Sequence, residues 1–251
     1  MTTPMTTLDI AHRNNAPETD LDALVRRVDP DRWLASRFIA DPKARADVIA
    51  LYAFNYELAR VAGGVSNALM GEIRLTWWRE AMDEIAAGQP ARRHPTVEAV
   101  VAAGYPLSAL AEMAEARMAD LDAAPFETEA QVLAYLDATA GAVTMLAAWR
   151  LDPKADPHAV QEAARAYGLA GLWRLKRAGV QRLPTDWTQG DVRRRVDAAL
   201  GKARSALKAL PIAAFPAAAP AALAKAQTGG RELSPFETQL RLTWAVATGR
   251  V

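Results

Sequence analysis

Apolar side chains recur three and four residues apart through nearly all of this chain, and no window shows the sustained two-residue alternation rich in Val, Ile and Thr that a sheet requires. That periodicity confines the chain to an all-α fold. Helix starts are marked locally. Asp41-Pro42 and Asp156-Pro157 each put a capping carboxylate before a proline at the first helical position, where its missing N–H costs nothing. Ser234-Pro235-Phe236-Glu237 adds a capping box, and Thr128 with Gln131 makes another. A long helix is predicted from Pro42 to Ala62, with Val48, Leu51, Tyr52, Asn55, Leu58, Ala59 and Ala62 on one stripe and Asn55 its single polar member. Gly63-Gly64 stops it, since glycine costs about 1 kcal/mol relative to alanine inside a helix. Further helices are predicted over residues 66–87, 96–103, 107–121, 128–149, 157–177, 191–210 and 235–248. The Ala- and Pro-rich stretch 211–230 reads as a linker. With 251 residues, 51% of them hydrophobic, the chain can bury one full core. It reads as a single domain over residues 18–251 behind a disordered N-terminal tail over residues 1–17.

Composition removes several chemistries. The chain has no cysteine, which excludes disulfides, thiol nucleophiles and thiolate metal sites. Its three histidines, His12, His94 and His158, lie far apart without ligand-like neighbours, so zinc is not expected. No Gly-rich phosphate loop, Gly-x-Ser-x-Gly elbow or His-Glu-x-x-His segment occurs. Met1 to Ala16 carries neither the apolar core of a secretory signal nor the arginine enrichment of a transit peptide. No run reaches the roughly 18 apolar residues of a membrane span, and Pro216 and Pro220 interrupt the most apolar stretch, 213–226. The chain is expected to touch a membrane without crossing it. Its net charge of +1 hides an asymmetry: residues 165–208 hold eleven Lys and Arg against Asp186, Asp191 and Asp197. One end should be electropositive, open to a diphosphate, phospholipid headgroups or an acidic protein surface, or simply solvated.

Within the first long helix, Tyr52-Ala53-Phe54-Asn55-Tyr56-Glu57-Leu58-Ala59-Arg60-Val61-Ala62-Gly63 resembles the first motif of the squalene/phytoene synthase family, roughly Tyr-Ala-Phe-Cys-Arg-x-x-Asp-Asp-x-x-Asp. The resemblance extends in order through Arg37-Phe38-Ile39-Ala40, Leu75-Thr76-Trp77-Trp78-Arg79, Gly88-Gln89-Pro90, His94-Pro95, Ala116-Arg117-Met118-Ala119-Asp120-Leu121 and Tyr135 with residues 138–143. It implies an isoprenoid-synthase-like helical bundle around a central cavity. In that family the aspartates hold magnesium on a substrate diphosphate. Here the three aspartate positions fall on Ala59, Arg60 and Gly63, none of which offers the oxygen ligands magnesium takes. The second motif aligns with residues 168–180, where Leu175 stands at the asparagine position and Gly179 at the first aspartate position, and the stretch is shortened before Arg182-Leu183-Pro184. Both carboxylate sets that clamp the metal–diphosphate cluster are therefore missing.

Phe54-Asn55-Tyr56-Glu57-Leu58-Ala59 and Arg74-Leu75-Thr76-Trp77-Trp78-Arg79 are similar to the family's respiratory complex I assembly factors. That resemblance implies a non-catalytic binding or assembly role, a respiratory-complex subunit as partner, and a cytoplasmic location peripheral to the inner face of the membrane. An isoprenoid or anionic lipid is the expected ligand; nucleic acid is not. No residue is assigned a catalytic, cofactor-binding or metal-binding role. The candidate cavity or anion-binding side chains are Asn55, Arg60, Arg174, Lys176 and Arg177, each with a plainer reading: a hydrogen-bonded Asn55 beside an exposed Glu57, an ion-paired Arg60, and three cations snorkelling at a helix end. Trp77 and Trp78 point about 100° apart on a helix, so at least one belongs to the core. The alternative function is an active head-to-head prenyl transferase, with magnesium held by displaced ligands. Glu72, Glu80, Asp83 and Glu84 are the nearest acidic residues for that purpose.

Overall fold

A computed structural model describes residues 20–230 and 232–251. The tail expected over residues 1–17 lies outside the described residues, among which no strand occurs. Helices α1 (Leu21–Val28) and α2 (Pro30–Ser36) lead into α3 (Pro42–Ala59), α4 (Ala68–Ala86), α5 (Pro95–Ala102) and α6 (Leu107–Ala116). A 3₁₀ turn over Arg117–Leu121 follows, then α7 (Glu129–Leu136), a π segment (Asp137–Gly141) and α8 (Ala142–Leu151), which run as one rod. Helices α9 (Gln161–Arg177) and α10 (Gln189–Ala206) pack against each other, and after the short helices α11 (Phe215–Ala218) and α12 (Ala224–Gln227) the fold ends with α13 (Pro235–Thr248).

The predicted caps form. Asp41 accepts from the Lys43 and Ala44 amides, and Thr128 with Gln131 and Ser234 with Glu237 close capping boxes. Thr188 with Asp191 closes a further box at the start of α10, the helix predicted from residue 191, and Asp29 caps α2 in front of Pro30; neither cap was read from the sequence.

Helix α3 is central rather than amphipathic. Seven consecutive residues, Val48 through Phe54, are buried, so no single stripe exists. α1, α2, α5 and α8 surround it, which also buries Glu57, expected to be exposed. The helix stops at Ala59, before Ala62, and Ala62–Gly64 form a 3₁₀ turn instead. The predicted linker is a second correction. Residues 214–221 are buried against α8, α9 and α2, because alanines allow close approach and Pro216 and Pro220 occupy first turns of short helices. The rod Glu129–Leu151 is a third. With mean hydropathy 1.4 over its apolar window it is long and apolar enough to cross a membrane, although 44% of that window is buried in the bundle, as in a core helix.

One ion pair fastens the rod to α3. The Asp47 carboxylate, 6% exposed, accepts from Arg150 of α8 and from Lys43 at 2.5 Å, while the Tyr105 hydroxyl donates to the Asp47 carbonyl at 3.1 Å. Removing one partner of a buried pair strands the other charge. Asp47→Asn is therefore expected to lower unfolding free energy by about 2–4 kcal/mol. Urea denaturation should show a reduced midpoint at unchanged slope, and an unmoved midpoint would refute this role.

Candidate functional site

A cavity of about 570 Å³ opens between α2, α3, the Arg117 turn, the α7–π segment and α9. Its volume falls within the range of small-molecule sites. α9 comes close to α7 because position 168 is glycine: a Cβ there would lie 2.6 Å from Leu136 Cδ2. That approach sets the width of the cavity's back wall.

Two polar networks line it. In the first, the Arg117 guanidinium donates to Asn55 Oδ1 at 2.9 Å, to Asp120 Oδ2 at 3.1 Å and to the Tyr135 hydroxyl at 3.1 Å. The Tyr135 hydroxyl in turn donates to Asp120 Oδ1 at 2.6 Å. Burial pushes the Tyr135 phenol up to about 12, with Arg117 opposing the rise. Behind it Arg182 donates to the carbonyl oxygens of Ala119 at 2.7 Å and of Asp122, and stacks on Phe126, which fixes the turn that carries Arg117.

In the second network, buried Arg32 pairs with Asp29 at 2.9 Å and lies over the rings of Tyr52 and Tyr167. The Tyr167 hydroxyl and the Gln227 amide donate to Asp31 Oδ2 at 3.2 and 2.7 Å. Arg174 stands 3.6 Å from the same oxygen, too far for a hydrogen bond, and its side chain is 48% exposed. Of the three arginines lining the cavity, Arg174 is thus the least committed.

Of the five side chains nominated from the sequence, Asn55 and Arg174 line the cavity. Arg60 does not: it turns out to pair with Glu57 at 2.8 Å, beside the Tyr56 ring. Lys176 donates to the Trp187 carbonyl at 2.7 Å on another side of α9, and exposed Arg177 lies away from the cavity too. Sequence reasoning missed Arg32, Arg117, Tyr135 and Tyr167. A usable signal for Arg117 existed, since it is the one cation within the segment 116–121 that takes part in the family resemblance.

The charge excess of residues 165–208 is partly met inside the molecule: Arg165 by Asp137 and Glu162, Arg194 by Asp191, Arg195 by Glu129. Trp78 is core and packs edge-on to Phe54, while Trp77 is partly exposed beneath Arg92. Arg92 also gathers Glu84 at 2.7 Å and Glu80 at 3.3 Å.

Magnesium on a diphosphate needs carboxylates facing one another across the cavity. Ala59 and Gly63 supply no side-chain oxygen, and Asp29, Asp31 and Asp120 each face an arginine. Among the described residues no group of three His, Asp or Glu side chains comes together in a metal-binding arrangement. The residues present do not fit that cation.

Arg117→Met is expected to leave Asn55 without this donor and Asp120 without its cation, lowering stability by about 2–4 kcal/mol in chemical denaturation. Arg117→Lys should fail to restore it, because an ammonium cannot span three acceptors as the planar fork does. The raised tyrosine fixes a sign as well. The unfolded chain releases the Tyr135 proton near pH 10 and the folded protein near 12, so stability should fall as pH rises through that interval. Circular dichroism melts at pH 9, 10, 11 and 12 would test this, and a flat profile would contradict it.

The sequence model of squalene/phytoene synthases matches residues 25–250. NADH dehydrogenase (ubiquinone) complex I assembly factor 6 from Bos taurus and from Homo sapiens is 31% and 32% identical to this chain over 75 residues, 30% of this chain and 22% of each of those proteins. Among solved structures, a dehydrosqualene synthase in complex with ligand superposes with TM-score 0.73 at 13% identity, covering 91% of this chain and 94% of that one. Squalene synthase HpnC from Alicyclobacillus acidocaldarius gives TM-score 0.64 at 14% identity, covering 92% and 94%. These likenesses establish the isoprenoid synthase fold. With its whole helical bundle matched, the chain belongs to the squalene/phytoene synthase family.

Proposed function

We propose that this chain is a binding protein that has lost prenyl transfer and works without magnesium. It holds an isoprenoid or other lipid tail carrying an anionic head, and acts as an assembly factor of the complex I type at the inner face of the membrane. The observation that carries this reading is the chemistry at the cavity mouth. Ala59 stands on the α3 side, Leu175 stands on the α9 side, and the Arg117 guanidinium is bonded to Asn55 between them, while Arg60, Gly63 and Gly179, the other family aspartate positions, carry no carboxylate either. A bound anion would meet Arg174, whose hold on Asp31 is loose. An apolar tail would pass between Leu136, Ala140 and Leu172, which line the same cavity. The local similarity to assembly factor 6 supports the choice of a respiratory-complex partner.

Calorimetric titration with farnesyl and geranylgeranyl diphosphate, with magnesium and with a chelator, tests the reading when products are followed by mass spectrometry. Binding is expected to be the same in both conditions, with no hydrocarbon formed. Arg174→Ala should weaken it about tenfold, or about 1.4 kcal/mol. Magnesium-dependent formation of a condensed hydrocarbon would overturn the proposal and establish an active synthase.

A further inference from the structure

A second recess is larger than the candidate cavity. A groove of about 1310 Å³ runs between the C-terminal end of α10, the segment 207–225 and α13, and shares no lining residue with the cavity. Its floor is apolar, with Leu207, Leu210 and Phe215 buried beneath it. Large apolar side chains also stand exposed on its rim: Ile212 is 88% exposed, Leu240 58% and Trp244 53%. Leu240 and Trp244 sit one turn apart on α13, whose buried residues are Leu242 and Ala245. The helix is therefore apolar on two sides, and only one is covered.

The charged side chains of the rim are of a single sign. Arg204, Lys208, Lys225, Arg241 and Arg250 line the groove, and no Asp or Glu does among the described residues. Lys225 leans 3.1 Å from Asp197 outside the groove, and Arg204 donates to the Val251 carbonyl at 3.0 Å. Lys208, Arg241 and Arg250 have no ion-pair partner among the described residues. Arg204 and Lys208 of the cation-rich segment 165–208 thus stand here, around an apolar floor.

We propose that this groove docks an amphipathic helix of a partner protein, with its apolar face on Leu240 and Trp244 and acidic residues along its edges. The proposal rests on the assembly-type reading above for the kind of partner, not for the surface. Shape favours a helix over a lipid surface. A helix about 10 Å wide rising 1.5 Å per residue occupies roughly 120 Å³ per residue, so the groove accommodates about three turns. A flat bilayer would meet the rim and leave the floor unfilled. Helix-in-groove recognition uses apolar anchors at helical spacing, and charges along the rim set partner choice and association rate.

A fluorescently labelled peptide of about 18 residues, with Leu at i, i+3, i+4 and i+7 and Glu on both edges, tests this by anisotropy against the full chain. A peptide with the same apolar face and Lys edges serves as control. The Glu peptide should bind at micromolar concentration and lose affinity when salt is raised from 50 to 300 mM, with the Lys peptide at least tenfold weaker. Trp244→Glu and Lys208→Glu, both exposed substitutions expected to leave the melting temperature unchanged, should each weaken the Glu peptide at least tenfold. Absent binding, equal binding of the two peptides, or insensitivity to both substitutions would overturn the proposal. So would loss, in the same variants, of sedimentation with phosphatidylglycerol vesicles or of a self-associated species, since either would assign the groove to a membrane or to a second copy. The variants should bind farnesyl diphosphate as the unsubstituted chain does, which separates a failure of the groove from a failure of the cavity.

Discussion

The walls of the cavity are joined through one guanidinium. Arg117 bonds to Asn55 on α3, to Asp120 in its own turn and to Tyr135 on α7, so three segments far apart in sequence share a single fixed cation. In a metal-dependent site, cations bound between facing carboxylates would hold such walls. Here the charge is covalent and present at every accessible pH. A wall built this way needs no loading step and does not respond to chelators. It also engages the cation internally, which is why the nearby Arg174, and not Arg117, is the residue open to a ligand.

Much of the fold was legible because helix starts are local chemistry. Asp41 before Pro42, Thr128 with Gln131 and Ser234 with Glu237 cap where the sequence places them. Asp29-Pro30 carried the same signature and was passed over. Residues 211–230 misled because alanine and proline are the composition of linkers and also of tightly packed short helices; only burial distinguishes them. The single stripe on α3 failed for a related reason, since a helix enclosed on all sides has no solvent face to mark.

The site was half legible. Asn55 and Arg174 follow from aligning α3 and α9 with the family motifs. The remaining residues become a site only through tertiary approach: Arg117 reaches Asn55 across 62 positions, and Tyr167 reaches Asp31 across 136. No periodicity encodes such meetings. Net charge over a segment was similarly blunt, because it does not tell which arginines find carboxylates within the bundle. The internal pairs of Arg165, Arg194 and Arg195 remove part of the apparent patch, and Arg204 and Lys208 carry another part of it to the C-terminal groove.

The π segment at 137–141 sets a length constraint on the whole molecule. It carries one more residue per turn than the helices on either side, so everything after it is rotated by about 100° relative to a regular continuation. Arg150, which pairs with Asp47, lies downstream of that rotation. Tyr135 and Arg150, each tied to a partner outside this rod, thus bracket the turn. A chain one position shorter in this turn would keep its helices and its composition, yet it would turn Arg150 aside and need another cation for Asp47.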